Sequence, residues 1–367
     1  MHRRQLLKLG LVASGTFAVG GLARVGSRPA AAQIGSVPTV DRLVLTNVVD
    51  NIYDVFAKAG RLDSITVQRT PLGPAPLLAE HGLAYHIESH RGAEQRQILL
   101  DFSLTEVNLF NNYKSLKVDP YAADALILSH GHMDHYGALP VLARVGQGKF
   151  KTGTTVYAGG EDTFCQRVVV TPSGNIDQGR LDAPALEALG LRVALVKQPT
   201  VVAGHAFTSG QIARVTDFER PPAAARLVAG PLDSACAVTH FGLTQVVAKP
   251  GELVPDIFQG EHATAFHVRD RGLVVITSCG HAGVINSVRQ VQKATGIDKV
   301  HAVVGGFHLA PAPDEVVAKT VAVFKTINPD YIIPMHCTGL NTIFAVQREL
   351  PAKLVMPSTG TRVLFGA

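Results

Sequence analysis

The sequence predicts an α/β protein, and three observations carry that prediction. Late in the chain, short apolar runs with no helical period alternate with stretches of helix length, the signature of strands and helices in layers. Three of those runs each deliver a His at the carboxyl end, just before a helix: His281 in Ser278-Cys279-Gly280-His281, His308 in Gly305-Gly306-Phe307-His308, and His336 in Met335-His336-Cys337-Thr338-Gly339. In α/β layers that edge is where sites are assembled. A fourth apolar run, Ala125-Leu126-Ile127-Leu128, leads into Ser129-His130-Gly131-His132-Met133-Asp134-His135-Tyr136-Gly137, which places three imidazoles and a carboxylate within six residues.

In chain order, 33–38 reads as a linker and 43–49 as a β-branched strand closed by the polar turn 50–54. Strands are expected at 83–87 and 97–102, with 88–92 as their connection and Asp101 at the end of the second. A helix over 108–116, the His-rich strand and loop, a helix over 137–145 and a strand over 155–158 follow. The span from about 161 to 231 is broken by Pro and Gly and is expected to be an insertion covering substrate. Regular order returns with strands at 263–268 and 272–277, a helix at 284–294, a strand at 300–304, a helix at 314–326, a strand at 331–334 and a helix at 340–350.

The 367 residues carry a formal charge of +5. Arg3, Arg4, Lys8, Arg24 and Arg28 lie within the first 32 residues, which contain no acid; the remainder has 29 basic and 29 acidic residues. A neutral remainder lacks the basic footprint of a phosphate-backbone binder, so a nucleic-acid partner is not expected. The first 32 residues read as an export signal: the Arg3-Arg4 pair, an apolar stretch from Leu9 to about Leu22, and Ala30-Ala31-Ala32 as a cleavage context. The expectations are a periplasmic or secreted protein, the twin-arginine machinery as export partner, no stable membrane association, and a mature domain over 33–367. The apolar stretch is short for a span of roughly 20 residues; an uncleaved anchor is the alternative. Cys279 and Cys337 adjoin candidate ligands, Cys165 and Cys236 stand in less informative surroundings, and no obligatory disulfide is expected.

Imidazole and carboxylate suit zinc, iron and similar divalent ions. In an extended turn His130 and His132 point to one side while Asp134 and His135 lie a step further on, enough for two adjacent metals; a solvated, His-rich loop is the plainer reading.

The run His-x-His-x-Asp-His before a Gly-marked helix start resembles the metallo-β-lactamase-fold superfamily. Further segments resemble its dihydropterin synthase-like branch: Thr46-Asn47-Val48-Val49-Asp50-Asn51, Ala79-Glu80-His81-Gly82, the stretch 208–219, Ser278-Cys279-Gly280-His281-Ala282-Gly283, Gly305-Gly306-Phe307-His308-Leu309 and His336-Cys337-Thr338-Gly339. The resemblance implies a four-layer αββα sandwich and a metal-activated water acting on a small-molecule ester, lactam, lactone or phosphoester. It assigns His130 and His132 to one metal, and Asp134, His135 and His336 to a second. It calls for a third ligand at the first metal, for which His262 is favoured over His205. His281 stands where relatives carry a bridging Asp or Cys, so either His281 binds one metal alone or Cys279 acts nearby as a thiolate. His308 falls where a proton-donating His is placed, Asp134 would also orient the water, and Asp101 would steady the loop from behind. His81 shares a segment with the branch. Two zinc ions are expected, with iron or manganese possible. An iron-dependent oxidoreductase and a non-catalytic metal-binding protein are the alternatives.

Overall fold

Alternation along the strands decides which face each side chain takes. In Arg42–Val49, Leu43 and Leu45 enter one core cluster while Val48 enters another on the opposite face. The computed structural model describes residues 33–366 apart from 233, 242 and 243; the expected signal segment, residues 1–32, lies outside the described residues.

One sheet has nine strands in the order Arg192–Leu195, Thr155–Ala158, Ala125–Leu128, Glu94–Leu100, Ala84–Arg91, Arg42–Val49, Arg362–Phe365, Ile65–Gln68 and Gly60–Leu62. A second runs Thr200–Val202, Ala206–Thr208, Thr264–Val268, Gly272–Thr277, Val300–Gly305 and Tyr331–Pro334, with Thr39–Val40 paired to Thr264–Val268. Between them Leu43, Leu45, Tyr85, Ile87 and Ile127 pack with Phe266, Val274, Ile276, Val304 and Ile333. Helices Glu106–Leu116 and Leu139–Val145 cover the outer face of the first sheet through Leu109, Tyr113, Leu139 and Leu142. Val284–Thr295, Asp314–Ile327 and Leu340–Glu349 cover the second through Val288, Val321, Phe324 and Val346. The architecture is the four-layer αββα sandwich.

Parallel pairing positions the site. Gly272–Thr277, Val300–Gly305 and Tyr331–Pro334 run parallel, so the loops carrying His281, His308 and His336 leave from one edge. Ala125–Leu128 is parallel to Glu94–Leu100 and Thr155–Ala158, and its carboxyl end carries Ser129 and the loop beyond it.

Three expectations need correction. The hairpin strands are longer than read: Ala84–Arg91 pairs with Glu94–Leu100, so 88–91 belongs to the ladder rather than to the connection. The span 161–231 is not one insertion. Arg192–Leu195 joins the nine-stranded sheet, and Thr200–Val202 with Ala206–Thr208 joins the other. Only Arg167–Thr171, Gly174–Gly179 and Ala225–Val228, together with Leu253–Pro255 from beyond the expected boundary, form a separate four-stranded sheet. Finally, Cys165 and Cys236 form a disulfide, with Cα atoms 5.6 Å apart. Their separation of 71 positions in sequence hid that proximity.

Candidate metal centre

Two groups of side chains converge at the shared edge. His130, His132 and His281 form one; Asp134, His135, Cys279 and His336 form the other, and within each group the donor atoms lie within 4.8 Å of one another. Cys279, His281 and His308 form a third such group, which overlaps both.

The rings are oriented from behind. His135 Nδ1 lies 2.7 Å from Asp101, leaving Nε2 directed inward, 3.5 Å from Asp134 and 3.2 Å from Cys279 Sγ. Asp101 is fully buried and also accepts from the Ser129 N–H and hydroxyl, each at 2.8 Å. The Ser129 hydroxyl meets His130 Nδ1 at 2.9 Å, and His130 Nε2 is buried with no hydrogen-bond partner. His281 Nδ1 meets Glu261 at 3.0 Å; the same carboxylate accepts from the backbone N–H of His281 and Ala282. His336 Nδ1 faces Asn51 Oδ1 at 3.3 Å, while its Nε2 has no hydrogen-bond partner although Asp134 Oδ2 is 3.2 Å away. The polar turn after the first long strand holds that last loop: Asp50 accepts from the His336 N–H at 2.9 Å, and Asn51 donates to the His336 carbonyl at 3.1 Å.

This is the outer-partner pattern of metal-ligating imidazoles, in which one nitrogen is fixed by protein and the other is left inward. Burial lowers the pKa of His130 and His281, and lowers that of His132 to about 4, so these imidazoles are neutral and able to donate a lone pair. Burial pulls His135 the same way, but Asp134 and Asp101 outweigh it and lift the group to about 9. Asp134 is held well below the usual carboxylate range because His135 and His336 outweigh its burial. Buried neutral imidazoles around an ionised carboxylate are a donor set for divalent metal.

A family profile described as a beta-lactamase superfamily domain matches residues 84–336. The chain belongs to the β-lactamase superfamily. Its metallo-β-lactamase fold is shared with a crystal structure described as Tm1679, a metal-dependent hydrolase of the β-lactamase superfamily: TM-score 0.62, 20% identity, covering 87% of this chain and 98% of the other. It is 28% identical over 270 residues to the 7,8-dihydropterin-6-methyl-4-(beta-D-ribofuranosyl)-aminobenzene-5'-phosphate synthase of Methanocaldococcus jannaschii, covering 72% of this chain and 83% of that protein. An uncharacterised protein of the same organism, MJ0448, is 24% identical over 265 residues, covering 72% and 86%. Within the superfamily the chain falls in the synthase-like branch.

In this member of the superfamily, the structure brings together His130, His132, Asp134, His135, His281, His308 and His336, but not His262. His262 Nε2 is 3.1 Å from the Leu128 carbonyl, which turns the ring to the strand below the 130–135 loop and outside the donor groups, with Nδ1 buried and without a partner. Its rival His205 is buried elsewhere, between Ser89 at 2.9 Å and Glu94 at 3.3 Å. The third place beside His130 and His132 is taken by His281, and Cys279 joins the other group. Sequence reasoning missed Glu261, one residue before the favoured His262, and Phe258, whose ring stacks on His281 at 4.0 Å. A carboxylate beside a candidate His was the available signal for Glu261.

The stretch 208–219 proves to be a buttress. Arg214 donates to the carbonyls of His281 and Ile257, both at 2.9 Å, and Glu219 accepts from the Ile285 and Asn286 N–H groups at 2.8 and 2.9 Å. Buried Arg167, on the separate sheet, donates to Asp256 at 2.7 Å and reaches the carbonyls of Thr163, Cys165 and Gly131. Thr163 and Arg167 leave no room for a Cβ at Gly131, between the first two imidazoles. At the mouth, two-thirds exposed His81 stacks on His336 and lies 3.5 Å from Asp134. The thiols of Cys279 and Cys337 are 3.4 Å apart, and burial pushes the Cys279 thiol up.

Proposed function

We propose that the protein is an exported hydrolase that uses two zinc ions on a small ester, lactam, lactone or phosphoester. The observation that carries the reading is the set of inward imidazole nitrogens on His130, His135, His281 and His336, each backed by a protein partner on its other nitrogen. His130, His132 and His281 would hold one ion. Asp134, His135, Cys279 and His336 would hold the second. Five imidazoles and one cysteine sulfur with a single carboxylate favour zinc over magnesium or manganese, which prefer harder oxygen donors. Zinc so held supplies Lewis acidity and hydroxide at neutral pH.

The chain's own groups do the rest. Asp134, ionised within the second group, would both hold metal and fix the direction of the attacking water. His308, beside His281 with ring centroids 4.3 Å apart and with Nδ1 unpaired, would deliver a proton to the leaving group. Export is supported by the Arg3-Arg4 segment and by the Cys165–Cys236 disulfide, a linkage that persists in oxidising compartments. Among the described residues no helix is long and apolar enough to cross a membrane. The pterin-related synthase activity named for the archaeal relative sits badly with export, and its substrate is not carried over.

The test is elemental analysis of the purified full chain with turnover on a panel of esters, lactams, lactones and phosphodiesters. Zinc near two per chain with turnover is expected, with the ion at His130, His132 and His281 and the turnover lost in His132→Ala. Full activity in that variant would overturn the assignment. Iron with oxygen uptake would establish the oxidoreductase alternative, and metal without turnover the binding-protein alternative.

A further inference from the structure

A second polar cavity lies away from the metal centre, on the outer face of the nine-stranded sheet where helix Glu106–Leu116 ends. It measures about 360 Å³ and is lined by Thr46, Gln68, Arg69, His86, Glu88, Lys117 and Arg362 among others. Strand register explains its floor. Gln68 faces Arg362, Arg362 faces Thr46 and Thr46 faces His86 on four neighbouring strands, so a continuous polar row crosses the sheet. The neighbouring positions on the same strands, Val67, Val363, Leu45 and Ile87, point the other way into the core. A helix laid on this face would need apolar residues in that row; here the row is polar and the helix stops short of it.

Charge within the cavity is unbalanced. Glu88 is its one acid, and it is shared: Arg362 lies 3.5 Å from it and His86 Nδ1 3.7 Å. Arg69 donates only to neutral acceptors, the Lys58 and Met356 carbonyls and the Ser358 and Thr361 hydroxyls. Among the described residues no carboxylate lies within ion-pair distance of Arg69 or Lys117. His86 is buried, and its Nδ1 and the Ser115 hydroxyl have no hydrogen-bond partner. Buried polar atoms without partners are uncommon, and both of these belong to residues that line the cavity. At the helix end the Val118 and Lys117 N–H groups cap the Tyr113 and Lys114 carbonyls, so the cationic side chains have the Ser115 and Leu116 carbonyls to offset.

We propose that this cavity is a binding site for a small oxyanion-bearing molecule, a carboxylate or a phosphate ester. Lys117, Arg69 and Arg362 would supply the charge, with the Ser115 hydroxyl as a hydrogen-bonding partner; His86, whose Nε2 lies 3.3 Å from the Gln97 side-chain oxygen, forms part of the polar wall. The volume is that of a metabolite-sized pocket. None of the metal-centre residues lines it, so the proposal stands apart from the hydrolase reading.

The test is calorimetric titration of the full chain with orthophosphate and with succinate. One saturable site for at least one of them is expected, and the tighter of the two identifies the headgroup. Lys117→Glu, at an exposed helix end where folding is not at risk, should weaken binding at least tenfold, as loss of a charge-assisted contact does. Arg362→Gln should do the same. His132→Ala should bind the anion as the parent does. Unchanged binding in Lys117→Glu, loss of binding in His132→Ala, or no saturable site for either anion would overturn the proposal.

Discussion

Glu261→Gln separates the two metal positions. The carboxylate is 3% exposed and accepts three hydrogen bonds: from His281 Nδ1, from the His281 backbone N–H and from the Ala282 backbone N–H. Burial raises its pKa, while those backbone donors and Arg214 pull the other way. Gln keeps the volume and one acceptor oxygen but places an NH2 group against donors, so the His281 ring loses its fixed tautomer and direction. Removing such an outer partner costs about 10–100-fold in metal affinity, roughly 1.4–2.7 kcal/mol. Alanine would be a poorer probe, because it strands buried backbone donors at about 1–3 kcal/mol each and endangers the fold. Competition with a chromophoric chelator, read as stoichiometry and two dissociation constants, gives the outcome. The ion proposed at His130, His132 and His281 should weaken by that factor, while the one proposed at Asp134, His135, Cys279 and His336 should keep its affinity. Equal weakening at both positions, or no change at either, would refute the argument that Glu261 acts through His281.

Asp101→Asn should weaken the other ion by a similar factor, since it removes the acceptor behind His135 Nδ1; the same competition assay shows whether the loss is confined to that position. The metal-free protein should be most stable between its two imidazole extremes. His132, held down to about 4, must take up a proton on unfolding, so stability is lost as pH falls from about 6.5 towards 4. His135, lifted to about 9, contributes stability that is complete below about 6.5 and lost as pH rises towards 9. Thermal melts across that range in chelator should therefore peak near pH 6.5, and a flat profile counts against both shifts. Replacing Cys165 by Ser should lower stability by about 2–4 kcal/mol, the effect of opening a long loop, measurable by denaturant titration.

Much of the centre was legible because its first four candidate ligands are contiguous and three more follow strand ends in a repeated pattern. The mistake at His262 has a local cause. The 258–261 turn, closed by the Glu261 N–H donating to the Phe258 carbonyl at 3.1 Å with Phe258 at φ 54°, turns Glu261 toward His281 and His262 back under Leu128. A one-residue change of direction in a loop leaves no periodic trace. The disulfide and the division of 161–231 among three sheets depend on contacts between distant segments, and composition does not encode them. The hairpin misreading had the opposite origin: Glu88, Ser89, His90 and Arg91 look like a turn by polarity, yet they form a ladder with solvent on one side.

Arg167 changes how the small four-stranded sheet should be regarded. Its guanidinium passes beneath the loop at Gly131 and is fastened to Asp256, with the disulfide cysteine two residues earlier in the chain. An appendage wired in this way is not a detachable module. Trimming it would remove a brace from the floor of the candidate metal centre, so redesign here has to begin from substitutions that keep this arginine and its carboxylate in place.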